Sequence, residues 1–206
     1  MTSESEVYKS YEKIADWFDE CRSRELLEKQ YLDKVIDYIK PGGTILDLGC
    51  GMGEPIAEYF INQGLTVVGV DACERLIELA KERFPNNRFI LNDMRNLCLN
   101  KKFDAIIAWN SFFHLNQDEQ RAMFQTFEDH MKPGGILLFT SGPDAGEVWS
   151  DNGGEMLYHA SLSPAEYRRL FEQHNFKELL FNIEDPTCGD ATVWMATFPG
   201  LVKTNR

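Results

Sequence analysis

The sequence predicts an α/β protein with a doubly wound, Rossmann-like sheet of seven strands, helices on both faces, and a last strand that runs antiparallel. From residue 44 to residue 140, short runs of Val, Ile and Leu alternate with segments whose apolar residues recur at helical spacing. This alternation is typical of βαβ units around a parallel sheet. Two further apolar runs near the end of the chain are separated by E-D-P-T-C-G-D, which indicates an antiparallel hairpin at the edge of that sheet.

The N-terminal part predicts a helical cap over residues 1–40. Apolar residues recur there at helical spacing in two segments, namely Val7, Tyr11, Ile14 and Phe18, then Leu32, Val35, Ile36 and Ile39. The second segment ends at K-P-G-G (40–43), which is a strong helix stop. Because both helices precede the first strand, we expect a cap on the sheet and not a separate domain.

The core of the predicted domain covers residues 44–140. Its expected strands are 44–48, 65–70, 88–91, 103–109 and 136–140. Helices are expected over about 54–63 and 73–84, and a third begins at the capping box formed by Asn116 and Glu119. Ligands of such sheets bind at the carboxyl ends of the strands, so the residues that follow each strand are the candidates for a site.

The remainder of the chain predicts a loop, a helix and a hairpin. Residues 141–161 are rich in Gly, Asp and Ser and predict a long loop, which we expect to bind the substrate because loops of this length are usually functional. A capping box at Ser163 and Glu166 begins a helix, and strands are expected over 177–183 and 191–197. Residues 163–198 therefore complete a single domain that spans 1–206.

The composition is that of a globular domain and narrows the possible partners. The chain has 206 residues, of which 43% are hydrophobic and 26% are charged, which suits one domain with its own core. Its formal net charge of −12 disfavours a nucleic-acid partner, because phosphate binding requires a basic surface. No apolar run reaches the roughly 18 residues of a membrane span, and the polar, acidic start does not resemble a signal peptide. We therefore expect a cytoplasmic protein without a membrane partner.

The turn after the first strand is the strongest candidate for a ligand site. It reads D-L-G-C-G-M-G and contributes three glycines, Gly49, Gly51 and Gly53. Glycine permits positive φ and close approach of a ligand to the backbone. Asp47 and Glu54 flank the turn, and Glu54 occupies the last glycine position of the dinucleotide motif. Fixed negative charge at both ends favours a ligand with a cationic group over a pyrophosphate.

Acidic residues also follow the next two predicted strands. Asp71 ends the second strand, where an acid bonds the ribose hydroxyls of a nucleotide. Asp93 follows the third strand, where it could accept a hydrogen bond from an adenine amine while Met94 packs on the ring. Together with Asp47, these positions predict an adenosine ligand with a cationic tail.

Five segments occur in an order that is specific to one family. They are I-L-D-L-G-C-G-M-G (45–53), V-V-G-V-D (67–71), N-D-M (92–94), F-D-A-I-I-A-W-N (103–110) and M-K-P-G-G-I-L-L-F (131–139). Over about residues 8–198 the chain resembles the class I S-adenosylmethionine-dependent methyltransferases, in particular bacterial small-molecule members. The resemblance implies the strand order 3-2-1-4-5-7-6, S-adenosylmethionine as methyl donor, S-adenosylhomocysteine as product, and a small-molecule acceptor.

The resemblance also implies which residues bind the cofactor. They are Tyr11, Asp47, Gly49, Cys50, Gly51, Gly53, Asp71, Ala72, Asp93, Met94, Trp109 and Asn110. Asp47 would hold the ammonium group, Asp71 the ribose hydroxyls, and Tyr11 the carboxylate. Trp109 and Asn110 would flank the sulfonium. Metal-dependent relatives carry an acid at these last two positions, so no metal is expected.

Candidate catalytic residues lie near the end of the fourth strand and in the predicted loop. His114 follows the strand closely, and Tyr158 and His159 lie within 141–161. Each could serve as a base or contact the acceptor, and each could instead have a packing or surface role. The thiol of Cys50 is interpreted as a buried filler, since no base is placed beside it.

Several functional alternatives remain open from the sequence. A binding module that keeps the cofactor site without catalysis and a nicotinamide-dependent oxidoreductase are the other hypotheses. The acceptor atom could be oxygen, nitrogen, sulfur or carbon, and the protein could be a monomer or a homodimer. An odd number of cysteines, no C-x-x-C pair and no H-E-x-x-H motif argue against a disulfide framework and a metal site.

Overall fold

The computed structural model describes residues 6–199, so residues 1–5 and 200–206 of the predicted domain lie outside it. Its strands are β1 (Thr44–Leu48), β2 (Thr66–Asp71), β3 (Arg88–Leu91), β4 (Phe103–Ala108), β5 (Met131–Ser141), β6 (Gly146–Asn152), β7 (Glu155–Ser161), β8 (Lys177–Asp185) and β9 (Ala191–Phe198). Its α-helices are α1 (Val7–Cys21), α2 (Lys29–Tyr38), α3 (Ile56–Asn62), α4 (Glu74–Arg83), α5 (Gln117–His130) and α6 (Pro164–Gln173).

A seven-stranded sheet forms the centre of the fold, in the order β3-β2-β1-β4-β5-β9-β8. The strands from β3 to β5 pair in parallel, whereas β9 runs antiparallel to both β5 and β8. This arrangement confirms the predicted seven-stranded, doubly wound sheet and the implied strand order. After β1 the chain builds outward to β3 and then returns to build β4 and β5 on the other side. The carboxyl ends of β1 and β4 therefore border a crevice, the usual ligand position in such a sheet.

Alternate side chains of the strands bury two separate cores, one on each face. Leu46, Leu48 and Ile106 lie in the core that also holds α5 and α6. Ile45 and Ile107 lie in the opposite core with α2, α3 and α4. Helices on both faces are thereby confirmed.

Helix α2 differs from its predicted role as part of a cap. Tyr31, Leu32 and Val35 are completely buried in the core beneath one sheet face. Their burial makes α2 a member of the helical layer on that face. Of the predicted cap over 1–40, α1 is the part that lies over the carboxyl ends of the strands, where it contacts α4 and β7.

The prediction of a long loop over residues 141–161 is wrong. Strand β5 continues to Ser141, and β6 and β7 then form a two-stranded antiparallel hairpin. Gly153 and Gly154 connect the two strands with φ of +63° and +85°, the positive values that a tight hairpin turn requires. Most residues of β6 are exposed, so the strand lacks the alternation of apolar residues by which strands are recognised in a sequence.

Charged side chains hold α1 against α4. The Glu12 carboxylate accepts hydrogen bonds from the backbone amides of Glu74 and Arg75, at the start of α4. An acid at a helix N-terminus is favourable because it satisfies free amides and complements the helix dipole. At the other end of α1, Asp19 forms an ion pair with Arg83 at 2.6 Å. These two contacts fix α1 above the crevice.

Two glycine substitutions test how closely the glycine turn packs against the residues that follow β4. A Cβ added to Gly49 would lie 2.2 Å from the Cβ of Ser111, and its φ is +72°. Gly64 has a similar φ of +77° with nothing within 4 Å of the added Cβ. We expect Gly64→Ala to cost about 1 kcal/mol, from backbone conformation alone. Gly49→Ala should cost about 3 kcal/mol or more, because overpacking adds to that strain.

Urea unfolding monitored by circular dichroism measures both variants. Equal losses for the two glycines would contradict the close approach of Ser111 to the turn.

Candidate functional site

A cavity of about 1010 Å³, open to solvent at its mouth, lies at the carboxyl ends of β1, β2 and β4 beneath α1. We call it the main cavity. All the predicted cofactor-binding positions except Gly53 line it, and so does His114. Gly53 instead packs closely against the ring of Phe84, which would lie 2.8 Å from an added Cβ. The structure therefore brings residues from distant parts of the sequence to one place.

The amides of the glycine turn fasten the turn to β2. The backbone N–H groups of Gly49 and Cys50 donate to the Val70 carbonyl at 2.8 and 3.1 Å. The N–H of Gly51 donates to Asp71 Oδ2 at 2.9 Å. The turn is thus held by its neighbouring strand, and Gly49, Cys50 and Gly51 line the floor of the cavity.

Asp47 supplies an unpaired buried carboxylate at this floor. The residue is 3% exposed, and no donor from residues 6–199 lies within hydrogen-bond distance of its side chain. Burial, together with the nearby charge of Asp71, raises its pKa to about 7. A buried carboxylate without a partner is costly, so this side chain is suited to a cationic ligand group.

Glu54 was expected to contribute free negative charge beside the turn, but the structure shows that this charge is paired. Its carboxylate is ion-paired with Arg24 at 3.2 Å and with Arg83 at 3.0 Å. The same two arginines pair with Asp19. The charge of Glu54 is therefore used to hold α1 and the following segment against α4, and Asp47 is left as the unpaired acid beside the turn.

Two further carboxylates mark the side of the cavity below β2 and β3. Asp71 accepts hydrogen bonds from the amides of Gly51 and Cys73 at 2.9 Å, while burial raises its pKa. Burial also acts on Asp93, but its ion pair with Arg95 prevails and lowers the pKa of this carboxyl. Asp93 is therefore a charged acceptor held in place at the cavity wall.

The opposite side of the main cavity is formed by the end of β4. Trp109 is buried with its ring centre 5.8 Å from that of Tyr31. Asn110 adopts a φ of +49°, and its N–H donates to Thr140 Oγ1 at 2.8 Å. This turn places both residues between the main cavity and a second one of about 830 Å³. We call the second one the lateral cavity.

Arg22 is a candidate binding residue that the sequence did not reveal. It follows the last residue of α1 and lines both cavities, with its guanidinium 5.5 Å from the ring centre of Phe18. Within residues 6–199, no acceptor lies within hydrogen-bond distance of the guanidinium. No motif marks the segment between the two predicted helices, so nothing in the sequence distinguished Arg22 from a surface arginine.

His114 lies at the wall of the main cavity with both ring nitrogens engaged. Nδ1 is 2.8 Å from the carbonyl oxygen of Tyr158, and Nε2 is 3.1 Å from the hydroxyl of Tyr11. A carbonyl can only accept, so Nδ1 carries the proton and Nε2 accepts from Tyr11. Burial lowers the pKa of His114 to about 4. The hydroxyl of Tyr11 therefore donates to Nε2 of His114.

The hairpin brings the other predicted catalytic residues near this histidine. The rings of His114 and His159 are 4.8 Å apart, and the ring of Phe113 is 4.9 Å from that of His159. Burial lowers the pKa of His159. Tyr158 is completely buried in a small cluster with Val7, and it is the backbone oxygen of Tyr158 that contacts His114.

Cys50 lies at the cavity wall with its side chain largely buried. Burial raises the pKa of the thiol well above its ordinary value, so the group stays protonated. A protonated thiol is a poor nucleophile, which agrees with its interpretation as a filler. In the part of the chain that the structure describes, no cluster of His, Cys, Asp or Glu side chains is arranged to hold a metal ion. No helix of that part is both long and apolar enough to cross a bilayer.

A comparison with known families matches the region that forms this site. Residues 45–135 match the family model described as a methyltransferase domain. This segment, which is under half of the chain, is therefore similar to a methyltransferase domain. The match begins in β1 and ends within β5, so it includes the glycine turn, Asp71, Asp93 and the end of β4.

Relatives and solved structures extend this similarity beyond the matched segment. An uncharacterized methyltransferase of Oceanobacillus iheyensis is 26% identical over 130 residues, which is 63% of this chain and 55% of the relative. A S-adenosylmethionine-dependent methyltransferase from Clostridium acetobutylicum has a TM-score of 0.73 at 16% identity, covering 93% of this chain and 100% of that one. A 1,6-didemethyltoxoflavin-N1-methyltransferase from Burkholderia thailandensis has a TM-score of 0.71 at 18% identity, covering 96% and 87%. The chain spans about half the length of the curated relatives it matches.

Several residues of the site lie outside the segment 45–135 that matches the family. Tyr11 and Arg22 precede residue 45, and Tyr158 and His159 follow residue 135. The domain match therefore accounts for the floor of the main cavity, whereas α1 and the hairpin supply the walls nearest to His114.

The hydrogen bonds of His114 predict its tautomer. We expect the ring to stay neutral, with the proton on Nδ1, throughout pH 5 to 8, because its pKa of about 4 lies below that range. Long-range proton–nitrogen NMR spectra of the imidazoles measure this, with His114→Asn identifying the signal. A His114 resonance that titrates near pH 6.5, or a proton on Nε2, would contradict the geometry.

Proposed function

We propose that this protein transfers a methyl group from S-adenosylmethionine to a small molecule. The observation that carries the proposal is the unpaired, buried carboxylate of Asp47, which faces the main cavity beside the glycine turn. A ligand ammonium group would relieve the cost of burying this charge. The acids Asp71 and Asp93 lie on the side of the cavity where the adenosine would bind. A pyrophosphate, by contrast, would be repelled by the negative charge of Asp47 beside the turn.

Each part of the cofactor has a suitable group in the main cavity. The ribose hydroxyls would bond the Asp71 carboxylate, and Asp93 would accept from the adenine amine. Met94, Ala72 and Leu76 provide apolar surface for the ring. The ligand carboxylate would bind Arg22, which carries a free positive charge at the cavity wall and takes the role that the sequence had suggested for Tyr11.

Methyl transfer requires little covalent help from these residues. The reaction is an in-line displacement at a sulfonium methyl group, so orientation and placement of charge provide most of the catalysis. Trp109 offers an aromatic face near the expected position of the sulfonium, which attracts cations. His114 has no free nitrogen, so in this proposal it orients Tyr11 and the hairpin, and Tyr158 supports it through its carbonyl. His159 remains a candidate for contact with the acceptor.

The proposal also covers the methyl acceptor, the cellular location and the oligomeric state. Solved structures of similar fold include a toxoflavin-precursor methyltransferase with its small-molecule substrate and S-adenosylhomocysteine bound. The net charge of −12 further favours a small-molecule acceptor over a nucleic acid. We propose a cytoplasmic enzyme of one domain, active as a monomer or homodimer.

Calorimetry separates the proposal from its alternatives. We expect S-adenosylmethionine and S-adenosylhomocysteine to bind at micromolar concentrations and NAD to bind at least a hundredfold more weakly. Tight binding of NAD without a response to the sulfonium ligand would overturn the proposal. Tight binding of S-adenosylmethionine with no labelled methyl transferred to any component of a metabolite pool would favour a non-catalytic binding module.

The raised pKa of Asp47 predicts that cofactor binding releases a proton. At pH 6 the carboxylate is mostly protonated in the free protein, because its pKa is about 7. An incoming ammonium group favours the charged form, so binding should release close to one proton at pH 6 and little at pH 8. Calorimetry in buffers of different ionisation enthalpy counts this proton, and Asp47→Asn should abolish its release.

The same group affects stability in the absence of ligand. Its pKa in the folded protein exceeds the value of about 3.9 in an unfolded chain, so the folded state binds more protons between these values. Wild-type stability should therefore fall as the pH rises from about 4 to 7, relative to Asp47→Asn. A difference between the two proteins that does not change over this range would contradict the buried carboxylate.

A further inference from the structure

The lateral cavity lies where the acceptor of a methyl group would have to bind. It shares Arg22, Trp109 and Asn110 with the main cavity. Its other walls are the segment between α1 and α2, the end of β5, and the turn over 188–191 that precedes β9. The lateral cavity is thus a continuation of the main cavity across the end of β4.

The order of the strands fixes the direction of a bound cofactor. Asp93 follows β3 and Asp71 ends β2, while the glycine turn follows β1. A ligand whose adenosine binds Asp93 and Asp71 would extend across the glycine turn, and its other end would reach β4. Beyond β4 the next strand is β5, whose last residues line the lateral cavity. The reactive end of the ligand would therefore face this cavity.

Glu28 is the chemically distinctive residue of the lateral cavity. It is 5% exposed although it is charged, and it lines the cavity. It occupies the N-cap position of α2, yet its side chain makes no capping hydrogen bond. Within residues 6–199, its own backbone amide is the one donor that reaches the carboxylate. Among residues 6–199, no other residue therefore donates a hydrogen bond to this buried carboxylate.

The rest of the lining indicates which kind of molecule would satisfy Glu28. Glu25 and Asp190 add negative charge at the exposed rim, and Arg22 is the one cationic side chain among the described residues of the lining. Trp109 and Phe113 provide aromatic surface. The hydroxyl of Thr140 is engaged with Asn110. The hydroxyl of Ser141 donates to the Gly142 carbonyl and accepts from the indole N–H of Trp194. A cationic or hydrogen-bond-donating group on an apolar body fits these surroundings.

We propose that the lateral cavity binds a small aromatic or apolar amine as methyl acceptor, with the Glu28 carboxylate holding its nitrogen. This inference rests on the proposed methyltransferase function and specifies its substrate class. An ammonium group satisfies Glu28, and the aromatic walls attract the same charge.

Glu28 would also serve as the base that an amine acceptor requires. An ammonium nitrogen has no free electron pair, so the carboxylate must first accept one proton from it. The freed pair then forms the new C–N bond as the C–S bond breaks and its electrons stay on sulfur. The product amine keeps the positive charge, and the proton on Glu28 passes to solvent. Burial raises the pKa of Glu28, which makes it a better base than an exposed carboxylate.

Binding measured without turnover tests the proposal. The full chain, saturated with S-adenosylhomocysteine, is titrated with benzylamine, benzyl alcohol and benzoate, which share one body and differ in charge. We expect benzylamine to bind at least tenfold more tightly than the other two. Glu28→Gln should weaken benzylamine binding at least tenfold and leave benzyl alcohol unchanged. Glu172→Gln, which removes the same charge from an exposed position that lines neither cavity, should change benzylamine binding less than twofold.

The outcomes distinguish this proposal from the proposed function. Preferential binding of benzoate, or benzylamine binding that is unchanged in Glu28→Gln, would overturn the amine assignment while cofactor binding still supports a methyltransferase. The amine assignment would likewise be overturned if a wider set of aryl amines binds no better than matched alcohols. Loss of S-adenosylhomocysteine binding in the wild type would instead refute the proposed function. Circular dichroism and cofactor affinity show whether Glu28→Gln is folded, and Glu28→Asp serves as a second variant that keeps the charge.

Discussion

The fastening of the glycine turn to β2 is the constraint on which the site depends. Two turn amides donate to the Val70 carbonyl and a third to the Asp71 carboxylate. These bonds satisfy the donors that a tight turn would otherwise expose, and they also fix the position of Asp71 relative to the turn. Because Gly49 lies against Ser111, the end of β4 is held in the same arrangement. The ends of three strands are thereby positioned as one rigid floor.

A rigid floor explains why the protein tolerates unpaired charge at its centre. Asp47 and Glu28 are both buried without a strong partner, and each reduces the stability of the ligand-free fold. A flexible structure would relax so that these carboxylates reached water or an arginine. Here Arg24 and Arg83 are already engaged by Asp19 and Glu54. Among residues 6–199, this leaves Arg22 as the nearby cation without an ion-pair partner. Stability is given up where ligands would restore it.

The sequence predicted the floor of the site much better than its walls. The glycine turn and the acids at the strand ends follow from local patterns, because each depends on residues within one βα unit. The strand order was instead implied by the resemblance to the methyltransferases. The hairpin of β6 and β7 was predicted as a loop, because the exposed β6 has no alternating pattern and residues 141–161 are rich in Gly, Asp and Ser. The ion pairs of Glu54 and the exposure of Arg22 to both cavities depend on contacts between residues far apart in the chain, which no local pattern encodes.

This difference has a physical basis that bears on specificity. Main-cavity groups that would bind adenosine are supplied by consecutive strands, so one sheet geometry places them together. The lateral cavity combines the link between α1 and α2, the end of β4, and the turn before β9, and each of these is held by different neighbours. Changes in any one segment can alter the acceptor side while the turn, Asp47 and Asp71 stay in place. The fold therefore allows recognition of the acceptor to vary independently of recognition of the methyl donor, with Trp109 and Asn110 as the shared boundary at which the two ligands would meet.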